Sequence, residues 1–152
     1  PSKPCTCSPN AIRKYLSKVS GPLLDRMDIH IEVSPVSFDN LSSKAKLEPS
    51  CKIRERVNKA REIQKERLKS VGLLSNSQIP SHILSTVCEL TEDAKSILQM
   101  AFDKMGLSAR GYDKILKISR TIADLAGSEI IDKSHICEAI QYRSLDRKYW
   151  GY

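Results

Sequence analysis

Ser20-Gly21-Pro22-Leu23-Leu24-Asp25-Arg26-Met27-Asp28-Ile29 is the stretch on which the reading of this chain turns. Gly21 and Pro22 begin a turn or short helix, Gly by tolerating most backbone angles and Pro by fixing φ in advance. Asp28-Ile29-His30-Ile31-Glu32-Val33 then alternates polar and apolar side chains with period two, the pattern of a short strand. Arg26 therefore stands at the end of the turn, immediately before the strand, where a guanidinium can reach outward to a neighbour's phosphates. On residue type alone, the plainer reading is a surface arginine paired with Asp25 or Asp28.

A second segment changes that balance. Leu107-Ser108-Ala109-Arg110-Gly111-Tyr112 opens a helix that continues to Ala126. Arg110 falls in its first turn, where the helix dipole disfavours a cation. An anion at that place would suit both the arginine and the unpaired backbone N–H groups. Near the other end, Cys5-Thr6-Cys7-Ser8 precedes Ser20 by about a dozen residues.

In this order the three segments resemble the magnesium-chelatase-like branch of AAA+ ATPases, which includes the MCM helicases, and within it the ComM/YifB-type proteins. The resemblance runs from about Cys5 to Arg147. It implies that Arg26 is an arginine finger acting in trans on an adjacent subunit's ATP, and that Arg110 is the sensor 2 arginine at the γ-phosphate. It also implies a ring, expected to be a hexamer, that uses ATP and Mg²⁺, with DNA remodelling or branch migration in transformation or recombination as its work. The alternatives are the motor subunit of a magnesium chelatase, which inserts metal into a porphyrin, and a non-catalytic interaction module. In this branch an extra helix precedes sensor 2, and the helix from Ser50 to Lys69 is the candidate for it; Arg110 would then act on a neighbour's nucleotide.

The 152 residues, 40% hydrophobic, suffice for one ordinary core with a small appendage. No apolar run approaches the roughly 18 residues of a membrane helix. The chain begins at Pro1, inside a motif, so a fragment of a longer protein is expected. Five cysteines, an odd count without framework spacing, fit a reducing, cytoplasmic setting.

The expected fold is mainly α. Residues 1–35 read as the helix-turn-strand end of an α/β ATPase core, 36–49 as a Pro- and Ser-rich hinge, and 50–152 as a helical lid. A strand without its sheet is not stable alone, so the N-terminal part should be poorly ordered or held by packing. Ser8-Pro9 should start a helix running to about Val19, with Ile12, Leu16 and Val19 on one face. Further helices should run from Ser50 to about Lys69, from Pro80, from Thr91 to Gly106, from Ser108 to Gly127, and from Asp132 or Ser134. The Ser108 helix should present Ile115, Ile118, Ile122 and Leu125 to the core.

No Gly-x4-Gly-Lys-Ser/Thr loop is present to cradle phosphates, nor an acidic cluster following a β run. The chain by itself should not hydrolyse ATP, and no tightly bound cofactor is expected. Between Cys51 and Lys69 eight Lys/Arg face three Glu, a local charge of +5. Lys52, Arg54, Arg56, Lys59, Arg61 and Lys65 are the candidate DNA contacts of this helix, beside an apolar stripe of Ile53, Val57, Ala60 and Ile63. A solvated helix with pairs such as Glu55–Lys59 is the equally good alternative. The tail Arg143, Arg147, Lys148, Tyr149, Trp150 offers cations and aromatics that can stack on bases, though a short terminal tail is more often merely a docking segment. Cys5 and Cys7 supply only half of a four-ligand zinc site; the resemblance implies a further Cys-rich stretch just upstream that would complete it. Cys88 and Cys137 read as small core residues.

Overall fold

A computed structural model describes residues 5–36, 38, 42 and 47–143. Most of the expected 36–49 hinge, and Arg147, Lys148, Tyr149 and Trp150 of the tail, lie outside the described residues. Contacts divide the chain into two compact units, one formed by the residues up to Leu47 together with those from Tyr142 onward, the other by 48–141.

In the first unit, α1 spans Pro9–Leu16. Ser8 caps it, its Oγ accepting from the Ala11 N–H at 3.4 Å, and Pro9 takes the first position, where no N–H is needed. The helix ends at Leu16, short of the expected Val19, because Lys18 and Val19 turn back to the carbonyls of Tyr15 and Leu16. Ile12 is exposed, and Leu16 and Val19 are half-buried. The Gly21-Pro22 turn is helical: α2 spans Gly21–Arg26, with Leu24 buried and the Met27 N–H closing on the Leu24 carbonyl at 2.9 Å. The expected strand at 28–33 does not form. A ladder needs a neighbour, and the backbone bond to this segment runs from the His30 N–H to the Tyr142 carbonyl at 2.7 Å, outside any strand pair.

The second unit is a helical bundle. The helix α3 spans Ser50–Leu68 and is followed by two short 3₁₀ turns, Lys69–Val71 and Asn76–Gln78. Then come α4 (Ser81–Val87), α5 (Glu92–Met105), α6 (Ala109–Ala126) and α7 (Lys133–Gln141). Thr91 caps α5 through its Oγ1 and Ser108 caps α6 through its Oγ, at 3.2 and 3.0 Å from the N–H groups of Ala94 and Gly111. Gly106 and Gly127 stop these two helices at φ 55° and 73°, angles that a side chain would strain. Asp132 caps α7, its Oδ1 accepting from the N–H groups of Ser134 at 2.8 Å and His135 at 3.3 Å.

The core gathers Leu68, Ile79, Leu84, Leu98, Ile115, Leu116, Ile131 and Ile136. At its centre α6 packs against α3, α4 and α7. Of the residues expected to face the core, Ile115 is fully buried and Ile118 and Ile122 pack against the core half-buried, whereas Leu125 is 48% exposed. The deep positions belong to Leu116, Ser119, Arg120, Ala123 and Asp124. An isolated parallel bridge, Leu90 to Ile131, ties the start of α5 to the start of α7.

The first half of α3, residues 50–59, is exposed on every face. Ile53 and Val57 of the expected apolar stripe are 44% and 45% exposed; burial begins at Ala60 and continues through Gln64 and Leu68. The helix docks by its second half and extends its basic half into solvent.

Candidate functional site

Arg26 is the last residue of α2 and is exposed, while Leu24, two residues before it, is 7% exposed. A short helix anchored by Leu24 thus ends on the arginine. In the other unit Arg110 is the second residue of α6 and is exposed. The Ser108 cap takes the Gly111 N–H at the N-terminal end of α6, the end at which Arg110 stands. This end suits an anion such as a phosphate on charge and on hydrogen-bonding grounds.

Beside it, between α5 and α6, lies a mostly apolar groove of about 410 Å³ lined by Leu90, Leu98, Gln99, Phe102, Ala109 and Tyr112. Phe102 and Tyr112 meet edge-on there, with ring centroids 6.2 Å apart. Lys95 at its rim pairs with Glu92 at 2.6 Å, which raises its pKa.

All six candidate DNA contacts on α3, Lys52, Arg54, Arg56, Lys59, Arg61 and Lys65, are exposed. The ion pairs differ from the Glu55–Lys59 pair expected: Glu55 joins Lys52 at 3.0 Å, and Arg56 forks onto Glu48, with Nη2 3.1 Å from Oε2. Arg67 turns inward. It meets the Asp124 carboxylate with both terminal nitrogens, at 2.6 and 2.7 Å, and Asn76 at 3.0 Å. Asp124, whose side chain is fully buried, also accepts from Asn76 Nδ2 at 2.8 Å and from Arg120 Nε at 3.1 Å. The wholly buried Arg120 spends its other nitrogens on the carbonyls of Glu129 (2.7 Å) and Ser128 (2.5 Å), just past the end of α6. Burial pushes the Arg120 guanidinium below its usual range and Asp124 opposes that shift. This network clasps the docked half of α3 to the last turn of α6. It is absent from the sequence reading, where its one local signal is the i,i+4 spacing of Arg120 and Asp124.

Cys5 and Cys7 are exposed. Hydrogen bonding to Cys7 lowers the Cys5 thiol, and the same contact raises Cys7. Among the described residues no group of three or more His, Cys, Asp or Glu is placed to hold a metal ion. Cys88 is buried, and burial pushes its thiol up to about 11. Cys137 is only half-buried. Arg143, expected in a tail that either docks or offers cations and aromatics to bases, is 2% exposed. Among the described residues no helix is long and apolar enough to cross a membrane.

A capped helical bundle carrying an exposed first-turn arginine, preceded by a short helix ending in another, has the architecture of the helical lid domain of AAA+ proteins with the segment that leads into it. Residues 47–143 match the family described as "Magnesium chelatase, subunit ChlI C-terminal", and residues 1–41 match "Magnesium chelatase, subunit ChlI". The chain belongs to the magnesium chelatase ChlI family. It is 41% identical to Competence protein ComM of Haemophilus influenzae over 92% of its length, and 35% identical to the uncharacterized protein YifB of Escherichia coli over 93%. YifB of Salmonella typhimurium is 34% identical over 93%. In each case the chain spans 27% of the relative's length.

Proposed function

We propose that this chain supplies the arginine finger and the sensor 2 lid of a ring-forming, DNA-remodelling AAA+ ATPase of the ComM type. The observation that carries the reading is the placement of Arg26, exposed at the end of a helix anchored by Leu24. In-line phosphoryl transfer spreads charge over the γ-phosphate oxygens, and a guanidinium presented on a rigid element can stabilise it without reorganising. Arg26 does this for the ATP of an adjacent subunit, probing it from outside. Arg110, with the first-turn N–H groups of α6, receives the γ-phosphate at the lid. ATP and Mg²⁺ supply the bond to be cleaved and its charge neutralisation; the residues of this chain bind and orient, and the phosphate cradle and the metal ligands lie upstream. Copies assemble as a ring, a hexamer, in the cytoplasm. The domain limits follow the same reading: 1–35 as the end of the ATPase core, 36–49 as the hinge and 50–152 as the lid.

DNA is the substrate that the exposed basic half of α3 favours. Four of its six cations, Lys52, Arg54, Arg56 and Lys59, lie on the stretch free of core packing over residues 50–59. Arg61 and Lys65 are exposed on the docked half, so all six face solvent where a phosphate track can reach them, Lys52 and Arg56 from within exposed ion pairs. No base-reading module accompanies them, and binding is therefore sequence-tolerant and salt-sensitive. A second reading, the motor subunit of a magnesium chelatase, is favoured by the description of the matching family. Steady-state ATP turnover by the full-length protein, with and without branched DNA, separates the two. Strong stimulation is expected; turnover indifferent to DNA transfers the assignment to a chelatase-type motor.

A further inference from the structure

Arg143 lies two residues past the end of α7 and is 2% exposed. An arginine is buried at a cost unless its donors are used, and here the two terminal nitrogens reach both neighbours of one residue while the buried Nε makes no hydrogen bond among the described residues. Nη1 donates to the Met27 carbonyl at 2.9 Å, and Nη2 lies 3.4 Å from Asp25 Oδ1. Met27 is the C-cap of α2, where unpaired carbonyls gather and a cation is favoured. Residues 25 and 27 flank Arg26. A backbone strap adds to this hold: the His30 N–H donates to the Tyr142 carbonyl at 2.7 Å. Two of these contacts join Arg143 to residues 116 and 118 positions away, and with the bond at Tyr142 they close a brace around the end of α2.

We propose that Arg143 is a positioning residue for Arg26, and that residues 142–143 are the tie through which the end of α7 acts on the finger. The inference rests on the reading of Arg26 as the finger. Tyr142 follows Gln141, the last residue of α7, directly in the chain. A displacement of the lid end on nucleotide binding is therefore delivered to the segment that holds α2. In a ring, a subunit's own nucleotide state then sets how its arginine meets the neighbour's ATP.

Two measurements test this. In the full-length protein, Arg143→Ala lowers kcat by about 100-fold, the order of loss when a reacting group is held about 1 Å out of place, and leaves the KM for ATP within about twofold. Arg143→Lys, which keeps a donor for the Met27 carbonyl, recovers part of the rate. In the chain itself, Arg143→Ala speeds amide hydrogen exchange at Met27 by about tenfold, the loss of one charge-assisted hydrogen bond, while the core amides of α5 and α6 keep their protection. That second readout stands even where the full-length variant fails to assemble. Unchanged exchange at Met27 overturns the brace. An unchanged kcat in Arg143→Ala, beside a collapsed kcat in Arg26→Ala, overturns the positioning role. Unchanged turnover in Arg26→Ala removes the finger reading itself and the positioning role with it, and the exchange result then judges the brace alone.

Discussion

Asp124→Ala is the perturbation whose cost the structure fixes most closely. The Asp124 side chain is fully buried and accepts four hydrogen bonds, from Arg67 Nη1 (2.6 Å), Arg67 Nη2 (2.7 Å), Asn76 Nδ2 (2.8 Å) and Arg120 Nε (3.1 Å). Removing it leaves two guanidinium groups facing each other in the interior with no counter-charge. Breaking a buried pair by deleting one partner costs about 3–5 kcal/mol, and the second arginine places this case at the upper end. A helical unit of this size has roughly 5–15 kcal/mol to lose, so the variant retains at most about two-thirds of its stability. Arg67→Ala is milder, about 2 kcal/mol, because Asp124 keeps Arg120 and Asn76, and Arg67 is itself 23% exposed. The assay is urea unfolding of the chain followed by far-ultraviolet circular dichroism, with wild type, Arg67→Ala, Asp124→Asn and Asp124→Ala run together. The expected order of loss is Arg67→Ala, then Asp124→Asn, then Asp124→Ala. A loss below about 1 kcal/mol for Asp124→Ala, the value of an exposed ion pair, would refute the reasoning, since the cluster would then be hydrated.

The remaining predictions concern titration and ligands. Burial raises the Cys88 thiol to about 11 in the folded chain from an ordinary value of 9.0, so the folded state holds its proton longer than the unfolded state. The stability this contributes is full below pH 9.0 and is lost as pH rises toward about 11. Urea midpoints of Cys88→Ala against wild type across that window should show the decline in wild type alone; parallel profiles would contradict it. Asp132 has the opposite sign: the Ser134 hydroxyl holds its pKa below 3.8, so its capping of α7 is lost as pH falls through the folded value, and Asp132→Ala should flatten acid unfolding in that range. Replacing Lys59, Arg61 and Lys65 together by Gln should lower the slope of log K for duplex DNA against log salt by about 2–3 in the full-length protein; an unchanged slope would clear these three residues of phosphate contact. Arg110→Ala should weaken ATP binding about tenfold or more, the worth of one charge-assisted contact, with ADP binding nearly unchanged.

How much of this was legible in the sequence depended on how local each signal is. Thr91 and Ser108 announced their helices because a cap needs only the next three residues, and Gly106 and Gly127 ended them through a backbone angle that belongs to glycine. The Gly-Pro start of α2 and the terminal position of Arg26 were readable for the same reason. The alternation in 28–33 was misleading, since a period of two specifies a strand only where a neighbouring strand is present to pair with it. On α6 the isoleucines marked one apolar side. A central helix is enclosed on more than one side, however, and the deepest positions went to Arg120 and Asp124. An i,i+4 ion pair looks the same in sequence whether it is solvated or buried. What buries this one is Arg67, 57 residues away, and Arg143 meets Asp25 across 118 residues. Neither separation leaves a trace in composition or periodicity. The basic half of α3 was legible as charge but not as a projecting element, because Ile53 and Val57 promised a packed stripe and are instead exposed.

The most direct test of the account is ATP turnover by the full-length protein carrying Arg26→Ala, measured beside its affinity for nucleotide. The account predicts that kcat falls by about 10³- to 10⁵-fold, the contribution of an arginine finger, while nucleotide binding stays within about twofold of wild type. Turnover equal to wild type would contradict it and return Arg26 to the role of an exposed arginine at the end of a short helix.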